Sequence, residues 1–237
     1  MPEYDPLYPK LPYEYENYTR LSVYGNGDED AIATLLPEPL TAVSGTLEAF
    51  ILSAPSIAGL DGYTEGGIVV QARYKDTVGA HMLAEFVTKA DALAAGREIW
   101  GYPKKLCDVE YDERDDGSRS GRVTMDGVDL IRASFEPADV DFEVPQLFPR
   151  LQVKRIPSAT GDGCDVNQIV KMGFSGDESN FDADAVHEQT GGTGQIEFPA
   201  DPDNPFVRIG PVDTIGAAIT KGDFTLSHGE ILADLND

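Results

Sequence analysis

The chain has 237 residues, 41% hydrophobic and 9% aromatic, enough for one large domain or two small ones with a sizeable core. Its 42 acidic residues stand against 18 lysines and arginines, a formal net charge of −24. A surface of that sign repels nucleic acid and anionic membranes, which are gripped mainly by basic side chains, so neither is expected as a partner.

The charge suits a protein working in high salt, where counterions screen acidic self-repulsion, and it equally suits an ordinary acidic cytoplasmic protein. Cys107 and Cys164 supply neither a disulfide framework nor a zinc spacing. Met1-Pro2-Glu3-Tyr4-Asp5 lacks the basic and apolar regions of a secretory signal. No run approaches the roughly 18 apolar residues of a membrane helix, so a cytoplasmic location is expected.

Residues 1–18 are rich in Pro, Tyr and Glu and read as an extended arm, with residues 19–237 as a single domain. Tyr4, Tyr8, Tyr13 and Tyr15 give the arm a surface that packs on the body or on a neighbouring subunit, and a homo-oligomer is expected. Arg20 to Tyr24 predicts a short strand. Asp28 to Leu36 predicts a helix capped by Asp28, with Ile32, Leu35 and Leu36 on one face and Pro37 and Pro39 ending it. Leu47 to Leu52 reads as a strand and Ser53 to Gly62 as a loop. Gly67 to Tyr74 and Ala80 to Val87 read as a hairpin around residues 75–79.

Ala90 to Trp100 is the clearest helix, with Thr88 as a candidate cap and Leu93, Gly96 and Trp100 on one stripe. Gly inside a helix costs about 1 kcal/mol relative to Ala, so Gly96 points to close packing against a neighbour. Three alternating runs follow, Leu106 to Tyr111, Arg122 to Met125 and Val128 to Phe135, with Asp116-Gly117 and Asp126-Gly127 as turns. Leu151 to Ile156, Val166 to Phe174, Gln195 to Phe198, Asp213 to Ile219 and Gly222 to His228 continue the strand-rich pattern. The fold class is mainly β (α+β) with few helices, and closure into an antiparallel barrel would protect so many short strands from edge pairing.

One stretch carries chemistry: Glu98-Ile99-Trp100-Gly101-Tyr102-Pro103-Lys104-Lys105-Leu106. An amine held among Trp, Tyr and Leu loses hydration, which lowers its pKa, and a neutral amine can attack a ketone to form a Schiff base. If Tyr102 to Leu106 is extended, Lys104 and Lys105 face apart. Burial is then the expected cause of activation. A lone lysine is ordinarily a solvated surface charge.

This string resembles the signature of the acetoacetate decarboxylase family, itself the standing example of an amine activated by desolvation or a neighbouring cation. Pro37-Glu38-Pro39-Leu40, Gly62-Tyr63-Thr64-Glu65, Val186-His187-Glu188 and Ile231-Leu232-Ala233-Asp234 resemble further family landmarks in the same order. The resemblance runs from about residue 15 to the C-terminus and implies a barrel-like β core. It implies that Lys104 forms the iminium, that Lys105 is its neighbouring cation, and that Glu65 orients substrate or moves protons. Trp100 and Tyr102 would keep the substrate pocket dry.

An ungapped alignment on Pro-Glu-Pro-Leu and Tyr-Thr-Glu puts Phe50 where the family's decarboxylases carry a second active-site Glu. Glu48 would share the strand face of Phe50 and could substitute in the substrate site. The family's N-terminal arginine falls near Asn17, with Arg20 the nearest candidate. The expected substrate is a small β-keto acid, decarboxylated without a cofactor. A Schiff-base aldolase or dehydratase acting on a larger keto acid is a second reading, and a non-catalytic binding protein on the same fold a third.

Asp182, Asp184, His187 and Glu188 have side chains compatible with a cation, but clusters of this kind arise by chance in so acidic a chain. The resemblance makes Val186-His187-Glu188 a structural landmark, and no metal is expected. His81 and His228 read as core or surface. Gly191-Gly192-Thr193-Gly194 lacks the lysine and helix of a phosphate loop.

Overall fold

Long runs of β-branched and aromatic residues broken by Gly, Pro and Asp dictate a strand-dominated chain. The computed structural model describes residues 4–172 and 186–236. After the arm come β1 (Tyr13–Asn26), α1 (Glu29–Leu35), β2 (Thr41–Ala54), β3 (Ser56–Ile57), β4 (Tyr63–Tyr74) and β5 (Thr77–Val87). The helix α2 (Ala90–Ala95) and a π-helical turn (Gly96–Trp100) lead into β6 (Lys104–Leu106). Then come β7 (Asp108–Glu113), β8 (Arg119–Met125), β9 (Val128–Pro137), β10 (Arg150–Pro157) and β11 (Cys164–Met172). β12 (Val186–Glu197), a 3-10 turn (Pro205–Ile209), β13 (Asp213–Leu226) and β14 (Glu230–Asp234) complete the order.

Fourteen strands form one sheet in the order β14-β11-β10-β5-β4-β2-β1-β13-β12-β9-β8-β7, with β3 added to β1 and β6 to β5. The expected closed barrel is corrected: β14 and β7 end the path, and no ladder among the described residues joins them. The pairing is antiparallel except where β10 and β6 each meet β5 in parallel. The sheet instead folds over itself and is sealed by side chains. Thr64 Oγ1 donates to the Val109 carbonyl oxygen of β7 at 2.9 Å. A Cβ on Gly121 would meet Ile51 at 2.5 Å, so the layers approach too closely for any residue but Gly there. Val109, Val123, Leu130 and Ile131 pack in this way with Leu21, Ile51, Ile68 and Phe86 as the main aliphatic core.

The other face of β1, β2, β4 and β5 carries a core of different character. Tyr13, Tyr15, Tyr18, Phe50, Tyr63, Met82, Trp100 and Tyr102 cluster there. The arm docks on this side: Tyr8 OH donates to Glu98 Oε2 at 2.7 Å and Tyr13 OH to the Pro9 carbonyl at 2.7 Å. Residues 13–18, read as part of the arm, lie in β1.

Several local expectations were met. Asp28 caps α1, accepting from Ala31 N, and the helix stops before Pro37. Asp126 and Gly127 both adopt positive φ, 53° and 84°, as a tight two-residue hairpin requires. Others were not. The helix predicted over Ala90 to Trp100 is α-helical only to Ala95 and then widens into the π turn. Thr88 does not cap it; its Oγ1 faces Thr64, accepting from Thr64 N at 3.1 Å. Leu106 to Tyr111 is divided between β6 and β7, and the two runs between Asp213 and His228 form one strand. β14 was not anticipated.

Candidate active site

Tyr102-Pro103 leaves the π turn through a tight turn, in which Lys104 N donates to the Tyr102 carbonyl at 2.8 Å, and the residues of β6 that follow alternate between its two faces. Lys104 is buried and Lys105 exposed, facing apart as the alternation requires. β6 pairs with β5 so that Lys104 stands opposite Glu85, and β4 pairs with β5 so that Glu65 stands opposite Val87. Three adjacent strands thereby turn Lys104, Glu65 and Glu85 into one chamber.

For Glu85 this depends on an irregularity. In the β4–β5 ladder Val69 pairs with Met82 and Ile68 with Ala84, leaving Leu83 without a partner. A bulge of this kind reverses the alternation and re-aims the side chains beyond it. Met82 before it and Glu85 after it therefore both line the pocket, although strict alternation would put them on opposite faces.

Lys104 Nζ donates to Glu65 Oε2 at 2.6 Å and lies 3.8 Å from Glu85 Oε1. Its amine also stands 5.5 Å from the Tyr63 ring centroid and 5.9 Å from that of Tyr102. Burial alone would lower the Lys104 pKa, as expected from the sequence, but the negative charge of the Glu65–Glu85 pair, nearest at Glu65, outweighs it and holds the amine above its ordinary range. The expectation of a lowered pKa is thus reversed. Glu85 is pushed well up, first by burial and then by the neighbouring Glu65 carboxylate.

The remaining walls are aromatic and cationic. Tyr15 and Tyr63 share a hydroxyl–hydroxyl hydrogen bond of 2.8 Å. Trp100 Nε1 donates to the Ser227 carbonyl at 3.0 Å, which fixes the indole edge-on to Tyr13 and Tyr102. Arg20 and Arg150 also line the pocket. Arg20 Nη2 donates to Glu48 Oε1 at 2.8 Å, and Arg150 Nη2 lies 3.5 Å from Glu48 Oε2. Ser22 Oγ donates to Glu48 at 2.6 Å. Burial raises the Glu48 carboxyl, but Arg20 and Arg150 prevail and hold it below the usual range. Two cations against one carboxylate leave this end with one positive charge in excess.

Of the residues singled out in the sequence, Lys104, Glu65, Trp100 and Tyr102 come together in the pocket. Lys105 does not; it is solvent-exposed on the opposite face. Phe50 is fully buried beneath Arg20, whose guanidinium carbon is 3.7 Å from the ring centroid, and Glu48 is tied to the arginines; neither lines the pocket around Lys104. Asn17 sits at φ 54° beside a register shift in β1 and does not line the pocket, whereas Arg20 does. His187 pairs with Asp223 at 2.9 Å and Glu188 with Lys221 at 3.6 Å, both at the surface, whereas Asp182 and Asp184 lie outside the described residues. Sequence reading missed Glu85, Arg150 and Tyr15. For Glu85 a signal existed: it is the one carboxylate in the run from Ala80 to Val87, which is otherwise apolar apart from His81.

Lys104, Glu65 and Glu85 thus meet in one buried, aromatic-walled chamber of the folded sheet. The sequence profile of the family described as Acetoacetate decarboxylase (ADC) matches residues 2–235, and the chain belongs to that family. It is 34% identical over 116 residues to an acetoacetate decarboxylase of Acidiphilium cryptum, covering 47% of each chain. It is 34% identical over 106 residues to one of Burkholderia mallei, covering 45% of this chain and 43% of that one. The match thus spans about half the length of these curated relatives.

Among solved structures, an acetoacetate decarboxylase from Legionella pneumophila superposes with a TM-score of 0.85 at 24% identity, over 100% of this chain and 93% of that one. The enduracididine biosynthesis enzyme MppR, complexed with the condensation product of pyruvate and imidazole 4-carboxaldehyde, gives 0.81 at 16% identity, over 97% and 92%. These likenesses establish the fold. No helix among the described residues is long and apolar enough to cross a membrane.

Proposed function

We propose that this protein decarboxylates a small β-keto acid, acetoacetate to acetone and CO2, through a Schiff base on Lys104. The observation that carries the reading is the buried Lys104 amine, 2.6 Å from the Glu65 carboxylate in an aromatic-walled pocket. The neighbouring Glu65 carboxylate favours the protonated amine, so the amine must be freed as substrate arrives. Glu65 is placed to take that proton. The neutral amine then attacks the keto carbon, and loss of water gives an iminium.

The iminium draws the electron pair of the carbon–carboxylate bond as CO2 departs, leaving an enamine rather than a free carbanion. Protonation at carbon and hydrolysis return the ketone and Lys104. The excess positive charge of Arg20 and Arg150 over Glu48 supports an anionic substrate, and Trp100, Tyr102 and Tyr63 keep the chamber dry so that charge interactions inside it stay strong.

A second reading keeps the iminium but not the loss of CO2, as an aldolase or dehydratase on a larger keto acid. The position of Glu48 favours it: the carboxylate nearest Phe50 on the strand is bound to two arginines and not offered to the reacting centre. MppR, whose fold this chain shares, holds a condensation product of pyruvate. Product analysis separates the two. Incubation with acetoacetate should release acetone and CO2 in equal amounts; turnover of an α-keto acid with an aldehyde, and none of acetoacetate, would select the second.

A further inference from the structure

Glu85 has no task in that reaction scheme, yet it stands beside the reacting nitrogen. Its Oε1 is 3.8 Å from Lys104 Nζ, and its Oε2 is buried with no hydrogen-bond partner among the described residues. The residue is 3% exposed. An unpaired buried polar group is costly, and an apolar side chain would satisfy packing at this place at less expense. The bulge at Leu83 is what aims it into the pocket. Costly groups held by a special backbone feature beside a nucleophile point to chemistry.

Resting on the Schiff-base reading, we propose that Glu85 is a catalytic residue of this site, the group that holds the proton which decarboxylation consumes. Replacing a carboxylate by hydrogen takes up one proton per turnover. The resting site has Lys104 as ammonium, Glu65 as carboxylate and Glu85 as neutral acid. Transfer from Lys104 to Glu65 frees the amine, and addition to the ketone followed by an N-to-O proton shift gives a neutral carbinolamine. Its hydroxyl leaves as water with the proton of Glu85, producing the iminium opposite a new Glu85 carboxylate.

Once CO2 has departed, the neutral Glu65 protonates the enamine carbon. Hydrolysis by one water then yields the ketone and Lys104 ammonium. Glu65 and Glu85 are both ionised at that point, and one proton from solvent reloads Glu85. That proton is the one the overall reaction requires.

The surroundings agree with this assignment. Glu85 is faced by Glu65 from β4, Lys104 from β6 and Arg20 from β1, together with the phenols of Tyr15, Tyr63 and Tyr102. Burial first and Glu65 second favour its neutral form; Lys104 and Arg20 oppose them and are outweighed.

The test compares wild type with Glu85→Gln, which keeps shape and cannot release a proton, and with Glu85→Met, which fills the place with an apolar chain. Borohydride trapping on wild-type Lys104 first establishes the Schiff base independently. In folded variants kcat should fall roughly 10²-fold, the low end for a positioned acid, and the alkaline limb of the pH–rate profile should disappear. Infrared spectra of the substrate-free proteins at neutral pH should show a carboxylic-acid band in wild type that is missing from both variants. Should the variants match or exceed the wild-type rate, Glu85 merely burdens the lysine. An infrared spectrum without that band in wild type overturns the proposal whatever the kinetics.

Discussion

Gly96 lies against the side chain of Lys104: a Cβ built on it would sit 2.6 Å from both Cδ and Cε of the lysine. The glycine stands where α2 passes into the π turn, with the helical backbone angles φ −59° and ψ −44°. Nothing in its backbone demands glycine. What demands it is the space taken by the lysine stem, so the helix and the nucleophile are fitted to one another at this single point.

Gly96→Ala therefore separates stability from activity. Alanine favours the helix by up to about 1 kcal/mol, and the atoms it strikes belong to a flexible side chain that can move aside. The melting temperature should stay within a few degrees of wild type. The amine, however, is pushed off its line to Glu65, and a misplacement of about 1 Å can cost roughly 10²-fold in rate. Thermal melts and kcat measured on one preparation check both halves; an unchanged kcat would show that the lysine does not need this position.

His81 makes a prediction about acid. It is 5% exposed, with Nδ1 2.8 Å from the Leu151 carbonyl oxygen. Burial lowers its pKa to about 4, and the contact with Leu151 offsets only part of that. In an unfolded chain His titrates near ~6.5. Between these values the unfolded state binds a proton that the folded state does not, so stability is complete above about 6.5 and falls as the pH drops toward 4, by about 3 kcal/mol. Denaturant melts of wild type and His81→Gln should converge as pH is lowered through that window. Parallel curves would mean that His81 does not titrate on unfolding.

The acidic surface predicts a response to salt. At a net charge of −24 the folded state repels itself when counterions are scarce. The Debye length shrinks from about 30 Å at ~0.01 M salt to about 3 Å at ~1 M, so added KCl should raise the melting temperature steeply up to molar concentrations. The borohydride-trapped step should respond less, because the pocket around Lys104 is enclosed and poorly screened. A flat melting temperature would make the acidity incidental.

The nucleophile was legible because its neighbourhood is local. Trp100, Tyr102 and Lys104 lie within one short stretch, and simple alternation separates Lys104 from Lys105. The cap at Asp28 was legible for the same reason. Long-range features were not. The bulge at Leu83 that brings Glu85 into the chamber has no signature in Met82-Leu83-Ala84-Glu85, since it depends on what β4 offers across the ladder. The register shift in β1 that turns both Tyr15 and Tyr18 into the aromatic core is equally silent. Closure was misjudged because edges can be covered by folding the sheet over, with Gly121 admitting Ile51, as well as by a completed ladder. The direction of the Lys104 pKa was misjudged because burial was visible in the sequence while the 2.6 Å contact between Lys104 and Glu65, made across separate strands, was not.

The most direct test of the account is reduction of the enzyme–substrate adduct. Wild-type protein and Lys104→Ala are incubated with acetoacetate and borohydride, then compared by intact mass and peptide mapping. The account predicts one added substrate-derived group, confined to the peptide that carries Lys104, and neither adduct nor turnover in Lys104→Ala. An adduct on Lys105 or any other lysine, or undiminished turnover in Lys104→Ala, would contradict it.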